Sequence, residues 1–565
     1  MLRVPGSRGL DLRALAIVVT AAAVAGALGL LPIPNHDGAT RAVARAGAQA
    51  HARAGRAAGA QAHAQAGRAA GGHLGHSVTR ALKPSQVQVA IVAQSATVRL
   101  PRSFLGISTE YWALPQFERH VALFDRALAL VHVQGDGPLV VRIGGDSADH
   151  TFWDPMGRNM PHWVFKLTPA WLRPTAVLVR RLGVRVILDL NLVTGSPIRA
   201  AEWAHAAESK LPHRSIVAFE IGNEPDIYSR WFWLATLSRT TLGATLLPTG
   251  LSPGIYSQIF RAYAESVAQV APGVPLIGPA VANPALDVNW ISNLIDGAHP
   301  GLRTVSAHQY PLSACVSRKS AVYPTIARVL SERSSAGIAR TVSAAVRIAH
   351  GAGLLFRMTE LNSVTCGGRP GVSDAFATAL WAPDALFELL QAGVDGVNVH
   401  VRADAINAAF ALGRTGLTAR PLLYGMILFA RTLGPDAQLV HVRMDATGPS
   451  HLKVWAVRVR GDVLHVLLLN KGDQAVSARV RLPATGPAVV ERLLAPSPAS
   501  RSGETLGGQR LGRDGRWRGR PQTESIMPGS QGYQLTIPRA SAALLSVRLR
   551  PGSALSPAPD SRRAR

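Results

Sequence analysis

Eight short apolar runs, most of them separated by stretches of helical periodicity, constrain this chain more than any other feature. They are SFLGIS (103–108), LVVRIGG (139–145), VRVILDLNL (184–192), SIVAFEIGN (215–223), PLIGP (275–279), TVSAHQY (304–310), LLFRMTEL (354–361) and GVDGVNVHV (393–401). Runs this short, bounded by turn residues, read as buried strands. Between them, segments such as FDRALALV (124–131) and PTAVLVRRLG (174–183) repeat with the period of amphipathic helices. Eight such alternations predict an α/β chain folded as a (β/α)8 barrel over residues 101–428. An open, doubly wound sheet is the competing topology, but no G-x-G-x-x-G opens any of the strand-to-helix turns.

The two ends of the chain read differently. After about residue 430, HLKVWAVRVR (451–460), DVLHVLLLN (462–470), SARVRLP (477–483) and SAALLSVRL (541–549) are short strands separated by Gly, Pro and Asp turns, the pattern of a β-sandwich. The isolated β-rich segment at 85–100 is its expected partner, so residues 85–100 and 429–550 form one predicted domain, and 551–565 a disordered tail. At the N-terminus, Arg3, Arg8 and Arg13 precede an apolar run from Ala14 to Ile33. That pattern predicts a signal peptide or a membrane anchor within 1–37, and either places the rest outside the cytoplasm, secreted or held at the cell surface. Residues 38–84 repeat GAQAHA at 47–52 and 59–64 and carry almost no large apolar side chain, so they are expected to form a disordered tether.

Charge excludes less than it first suggests. The formal net charge is +26, yet only six of the 60 basic residues are lysine, and they form no basic stripe interleaved with aromatics and no zinc-finger spacing. Compositional drift toward Arg and Ala accounts for this balance, and no nucleic-acid partner is expected. Two cysteines, Cys315 and Cys366, are too few for a structural zinc site and lack redox spacing; in an oxidising compartment they are a candidate disulfide.

In a (β/α)8 barrel the chemistry projects from the C-terminal strand ends. The fourth run closes on Asn223-Glu224-Pro225 and the seventh on Thr359-Glu360. Paired carboxylates at strand ends suit retaining glycoside hydrolysis, in which one attacks the anomeric carbon and the other protonates the leaving oxygen. Several further strings resemble glycoside hydrolase family 79, the β-glucuronidase and heparanase-like family: FLGISTEYW (104–112), RIGGDSADHTFW (142–153), DLNL (189–192), FEIGNEP (219–225), SAHQYP (306–311) and TELNSVTCGGRPGVSDAFATALWAPDALF (359–387). The last is the most specific, because its Glu, double glycine and Ser-Asp stand at fixed offsets.

The resemblance implies Glu224 as acid/base and Glu360 as nucleophile. It further implies Asn223 on the sugar 2-hydroxyl, Tyr310 against the nucleophile, and Glu110, Asn191, Asp146, Asp149 and His308 around the substrate. The backbone N–H groups of Gly367 and Gly368 are expected to face a substrate carboxylate, since bare glycine backbone can approach an anion closely. Two positions depart from the family pattern. Thr365 stands where some members have an aromatic, and the eighth-strand loop HVRADAINAAFAL (400–412) lacks a tyrosine, leaving Arg402 as a candidate replacement. Cys315 and Cys366 fall in the loops after the sixth and seventh strands, neighbours in a barrel, which supports their pairing. The resulting expectation is a β-glucuronidase-like retaining hydrolase of an acidic glycan, with no metal, nucleotide or redox cofactor and with membrane contact only through the N-terminal segment. A neutral-sugar retaining β-glycosidase and a non-catalytic surface glycan-binding protein remain open alternatives at this point.

Overall fold

The computed structural model describes residues 85–91, 98–228, 251–402, 405–446, 450–484 and 486–550. The apolar N-terminal run, the GAQAHA repeats and the C-terminal tail lie outside them. The chain divides into Met1–Arg80 with Pro161–Trp163, and Ala81–Met160 with Val164–Arg565; the second unit carries everything below. No helix among the described residues is long and apolar enough to cross a membrane.

Eight parallel strands close into a barrel: β1 (Leu105–Glu110), β2 (Val140–Gly144), β3 (Arg185–Leu190), β4 (Ile216–Ile221), β5 (Leu276–Val281), β6 (Leu302–Gln309), β7 (Leu355–Leu361) and β8 (Gly396–His400). The order around the barrel is the sequence order, with β8 pairing back onto β1. Each of the eight apolar runs therefore becomes one stave. Val140, Ile187, Ala218 and Ile277, one from each of β2 to β5, form a layer inside the barrel, which is a packed core and not a channel. Three of the surrounding helices begin with one local device. Thr168, Ser196 and Ser252 each accept a backbone N–H from the first turn, and Pro169, Pro197 and Pro253 follow them with φ already set for the helix.

Outside the barrel, besides four two-stranded pairs, the strands make two larger, antiparallel-rich sheets. Ser85–Ile91 sits between Val442–Ala446 and Val476–Arg481, with Tyr533–Ile537 beyond. Val98–Arg99 pairs with Gln438–Val440 at the edge of the larger sheet, so the segment ahead of the barrel serves both sheets. In the strand Val463–Asn470, Val466 and Leu468 pack toward the smaller sheet, while Leu467 and Leu469 belong to the core shared with the barrel. Both faces are buried, which is why VLHVLLLN reads as a nearly continuous apolar run and not as an alternation. Phe387, from the helix Ala377–Gln391, stacks on Trp455 at 5.3 Å between ring centroids and joins the two domains.

Candidate active site

The C-terminal ends of the staves bring Glu224 and Glu360 together. One carboxylate oxygen of each and a ring nitrogen of His308 lie within 4.8 Å of one another. Glu224 follows β4 in the left-handed region (φ 56°, ψ 52°), where a residue with a Cβ is strained, and its N–H is tied to the Ala280 carbonyl at 3.1 Å. Pro225 contributes to this geometry by disfavouring the helical conformation for the residue before it. Its side chain is about one-sixth exposed, whereas that of Glu360 is only 7% exposed at the end of β7.

Arg142, wholly buried on β2, organises the floor of the site. Its guanidinium donates to Glu360 Oε1 at 2.6 Å, Glu220 Oε2 at 2.7 Å, Asp189 Oδ2 at 2.9 Å and Asn223 Oδ1 at 2.9 Å. On its other side Glu360 accepts from the Tyr310 hydroxyl at 2.8 Å, and that hydroxyl is 2.8 Å from His400 Nδ1 at the end of β8. Burial works against a charge on Glu360, but His400, His308, Arg142 and the Tyr310 hydroxyl overcome it and hold the carboxyl well below the usual carboxylate range. The nucleophile expected from the sequence is thus kept ionised and aimed. His308 is buried, with Nδ1 2.9 Å from Glu224 Oε1. Burial opposes its charge, and Glu360 with the hydrogen bond to Glu224 raises its imidazole above the ordinary value. Glu224, His308 and Glu360 are the one set of three among the described residues placed to hold a metal ion. The Arg142 guanidinium already supplies a cation at Glu360, and these side chains suit proton transfer.

Several expected contacts stand elsewhere. Asp149 is buried, with Oδ2 accepting from Tyr228 and Oδ1 from the backbone of Leu192 and Val193, so it fastens loops and does not face the sugar. Asn191 spends its amide on the Thr151 carbonyl, in the segment after β2, and on Thr194 in its own loop after β3. Gly368 donates its N–H to the Thr365 carbonyl at 3.2 Å, and a Cβ there would stand 2.8 Å from the Asn407 backbone; packing, not anion contact, requires glycine. His308 stands beside both carboxylates, its Nδ1 2.9 Å from Glu224 Oε1 and 3.9 Å from Glu360 Oε2. Gly367 has φ 72°, and the Arg402 guanidinium is 3.5 Å from where its Cβ would be.

Glu110 and Asp146 line the same side of the mouth. Glu110 accepts the Ser147 N–H at 3.0 Å, and burial raises its carboxyl while Arg402 lowers it. Asp146 is exposed at the mouth. Desolvation by the protein around it, followed by the charges of Glu224, Glu110 and Glu360, raises its carboxyl above the ordinary range, with Arg402 opposing. Asn223 Nδ2 donates to Asp146 at 3.2 Å.

Cys315 and Cys366 form a disulfide with Cα atoms 6.0 Å apart. Beneath it, Leu312–Ser313 pairs with Val364–Thr365, fastening the β6 and β7 loops side by side. Arg142 and His400 are functional residues absent from the sequence expectations. A charge inside the apolar run LVVRIGG was the available signal for Arg142, and the polar residue next to last in the eighth run was the signal for His400.

No family model matches the chain. A curated β-glucuronidase from Aspergillus niger is 22% identical over 530 residues, covering 81% of this chain and 93% of that protein. The solved structure of a 4-O-α-L-rhamnosyl-β-D-glucuronidase from Fusarium oxysporum 12S, in a Rha-GlcA complex, covers 81% of this chain and 100% of its own, with a TM-score of 0.65 at 16% identity. The chain is thus similar over most of its length to these glucuronidases. The same fold extends to a GH51 arabinofuranosidase from Xanthomonas axonopodis pv. citri, with 82% of this chain and 100% of that one covered, a TM-score of 0.59 and 15% identity.

Proposed function

We propose that the protein is an exported, retaining β-glucuronidase that releases β-linked glucuronic acid from glycans or glycoconjugates by double displacement. The observation that carries this reading is the approach of the Glu224 and Glu360 carboxylates to within 4.8 Å. Retaining pairs stand about 5–5.5 Å apart, whereas inverting pairs leave about 6.5–9.5 Å for a water. Glu360, ionised by its neighbours, attacks the anomeric carbon while Glu224 gives its proton to the leaving oxygen. A water then attacks the glycosyl-enzyme ester, and Glu224 takes its proton. Asn223, oriented by Arg142 and Asp146, is placed to meet the 2-hydroxyl.

The glucuronate carboxylate is assigned to Arg402 and the Gly367 backbone. Arg402 acts electrostatically on Glu110 and Asp146, so its charge reaches the site, where it serves in place of the aromatic side chains missing at Thr365 and in the β8 loop. Export rests on the apolar N-terminal run.

Hydrolysis of matched aryl β-D-glucuronide, β-glucoside and β-galactoside tests the substrate. Glucuronide is expected to lead in kcat/KM, and preference for a neutral sugar would overturn the assignment. Glu224→Gln should keep most of the first step on activated aryl leaving groups, slow unactivated ones by about 10²–10⁴-fold, and recover turnover with azide. Equal loss on both would remove Glu224 from its role.

A further inference from the structure

Arg420 stands just before the helix Pro421–Thr432, and its side chain makes no capping bond to that helix. Among the described residues it forms no ion pair either. The carboxylate whose charge reaches it, Asp374, is taken by Arg501 Nε at 2.6 Å and by the Gly371 N–H at 2.6 Å. Instead one guanidinium nitrogen, Nη1, donates toward three backbone carbonyls beyond β8: those of Ala405, of Ile406 at 2.9 Å and of Ala408 at 3.5 Å.

The other edges of two of these peptides face the β7 loop. A trans peptide carries its C=O and N–H on opposite edges of one plane. The Ala405–Ile406 peptide gives its carbonyl to Arg420 and its N–H to the Gly367 carbonyl at 2.7 Å. The Ile406–Asn407 peptide repeats this, with its N–H 3.2 Å from the same Gly367 oxygen. Each plane is thus held at both edges. A cation at the carbonyl edge also polarises the peptide and strengthens the bond made by its N–H.

The grip continues into the next peptide. The carbonyl of the Gly367–Gly368 peptide takes those two N–H groups, and its own N–H, on Gly368, donates to Thr365 at 3.2 Å. What is left over is the Gly367 N–H, which makes no hydrogen bond among the described residues and is the backbone donor assigned above to the glucuronate carboxylate. Asn407 Nδ2 donates to the Val364 carbonyl at 2.6 Å, and Asn362 Nδ2 to the Asn407 carbonyl at 2.9 Å. These bonds keep the segment attached to the β7 loop when the Arg420 bonds are lost, so that loss frees two peptide planes to rotate without detaching them.

We propose that Arg420 is a positioning residue for carboxylate recognition. Through two peptide planes it fixes Gly367, and with it the N–H offered to the glucuronate carboxylate, without touching substrate. The inference rests on the glucuronidase reading above and on its assignment of the carboxylate to Gly367, and it names what holds that donor in place.

The test compares wild type with Arg420→Met, which removes the donors and keeps the apolar stem, and Arg420→Lys, which keeps a cation with three N–H donors on a shorter reach. On an aryl β-D-glucuronide, Arg420→Met should raise KM by about tenfold and leave kcat within about threefold, and Arg420→Lys should fall between it and wild type. Amide hydrogen exchange at Ile406 and Asn407 should quicken by about tenfold or more in Arg420→Met, while exchange in the barrel staves stays as in wild type. An unchanged KM, a fall in kcat larger than the rise in KM, or a Lys variant worse than the Met variant would overturn the proposal. If Arg420→Met does not fold, Arg420→Gln, which keeps an uncharged amide donor, is held to the same KM and exchange outcomes. Should wild type show no preference for the glucuronide over the matched glucoside, the parent reading falls instead. Exchange then decides Arg420 alone: faster exchange at Ile406 and Asn407 upholds its hold on these peptides, and unchanged exchange removes it.

Discussion

Two buried ion clusters in this molecule look alike in composition and differ in how completely they are satisfied. At the barrel–sandwich junction, Lys471 donates to Asp384 at 2.6 Å, Glu332 at 2.7 Å and Ser335 at 3.3 Å, and the other Asp384 oxygen accepts the Trp455 indole N–H at 3.0 Å. Every partner is matched. At the barrel mouth, one Arg142 faces Asp189, Glu220 and Glu360, and Asp189 Oδ1, Glu220 Oε1, His308 Nε2 and His400 Nε2 are buried without hydrogen-bond partners. The junction spends its charges on holding two domains together. The mouth keeps spare acceptors and excess negative charge, which a structural cluster would not retain and a site that moves protons can use.

The contrast is broken most directly by removing one member from each cluster. Glu360→Gln should lower kcat by about 10⁴-fold or more on every glucuronide while leaving the melting temperature within a few degrees. Lys471→Met should do the reverse. It strands Asp384 as an uncompensated buried carboxylate and should cost about 3–5 kcal/mol of stability, with kcat of the folded fraction nearly unchanged. Kinetics paired with chemical denaturation checks both, and a Lys471 variant that is stable but inactive would erase the distinction.

The pH response sharpens the same comparison. Burial lowers the His400 imidazole from 6.5 to about 4, so the unfolded chain takes up this proton before the native one does. Stability from a neutral His400 is therefore fully present above about pH 6.5 and is lost as pH falls toward 4. His400→Gln should flatten that decline by up to about 1.4 kcal/mol per pH unit, measured by denaturation at several values between 4 and 6.5. An unchanged slope would mean that His400 is protonated in the folded protein.

The smallest effect is expected at the disulfide, which touches no reacting group. Cys315→Ser should raise KM for glucuronides by about three- to tenfold, more than it lowers kcat, because it releases the loop that carries Gly367. A larger loss in kcat than in KM would place the loop in the chemical step.

The strand ends were the legible part of the sequence. Apolar runs mark staves, and the polar residues that close the fourth and seventh staves stand at the mouth, which is how Glu224 and Glu360 could be placed; Tyr310 was legible only through the family resemblance. Loop residues were not legible in the same way. Asp149 and Asn191 have the right chemistry for sugar binding, but tertiary partners such as Tyr228 and Thr194 occupy them, and no local pattern reveals those partners. Arg142 was masked for a related reason: a cation inside an apolar run has no visible counter-ions until β3, β4 and β7 are brought beside it.

The stereochemistry of the first product tests the central claim that Glu224 and Glu360 act by double displacement. Hydrolysis of an aryl β-D-glucuronide followed by proton NMR from the first turnover should show β-glucuronic acid forming before mutarotation supplies the α-anomer. If the α-anomer appears first, the two carboxylates are working with a water between them, and the retaining mechanism is wrong.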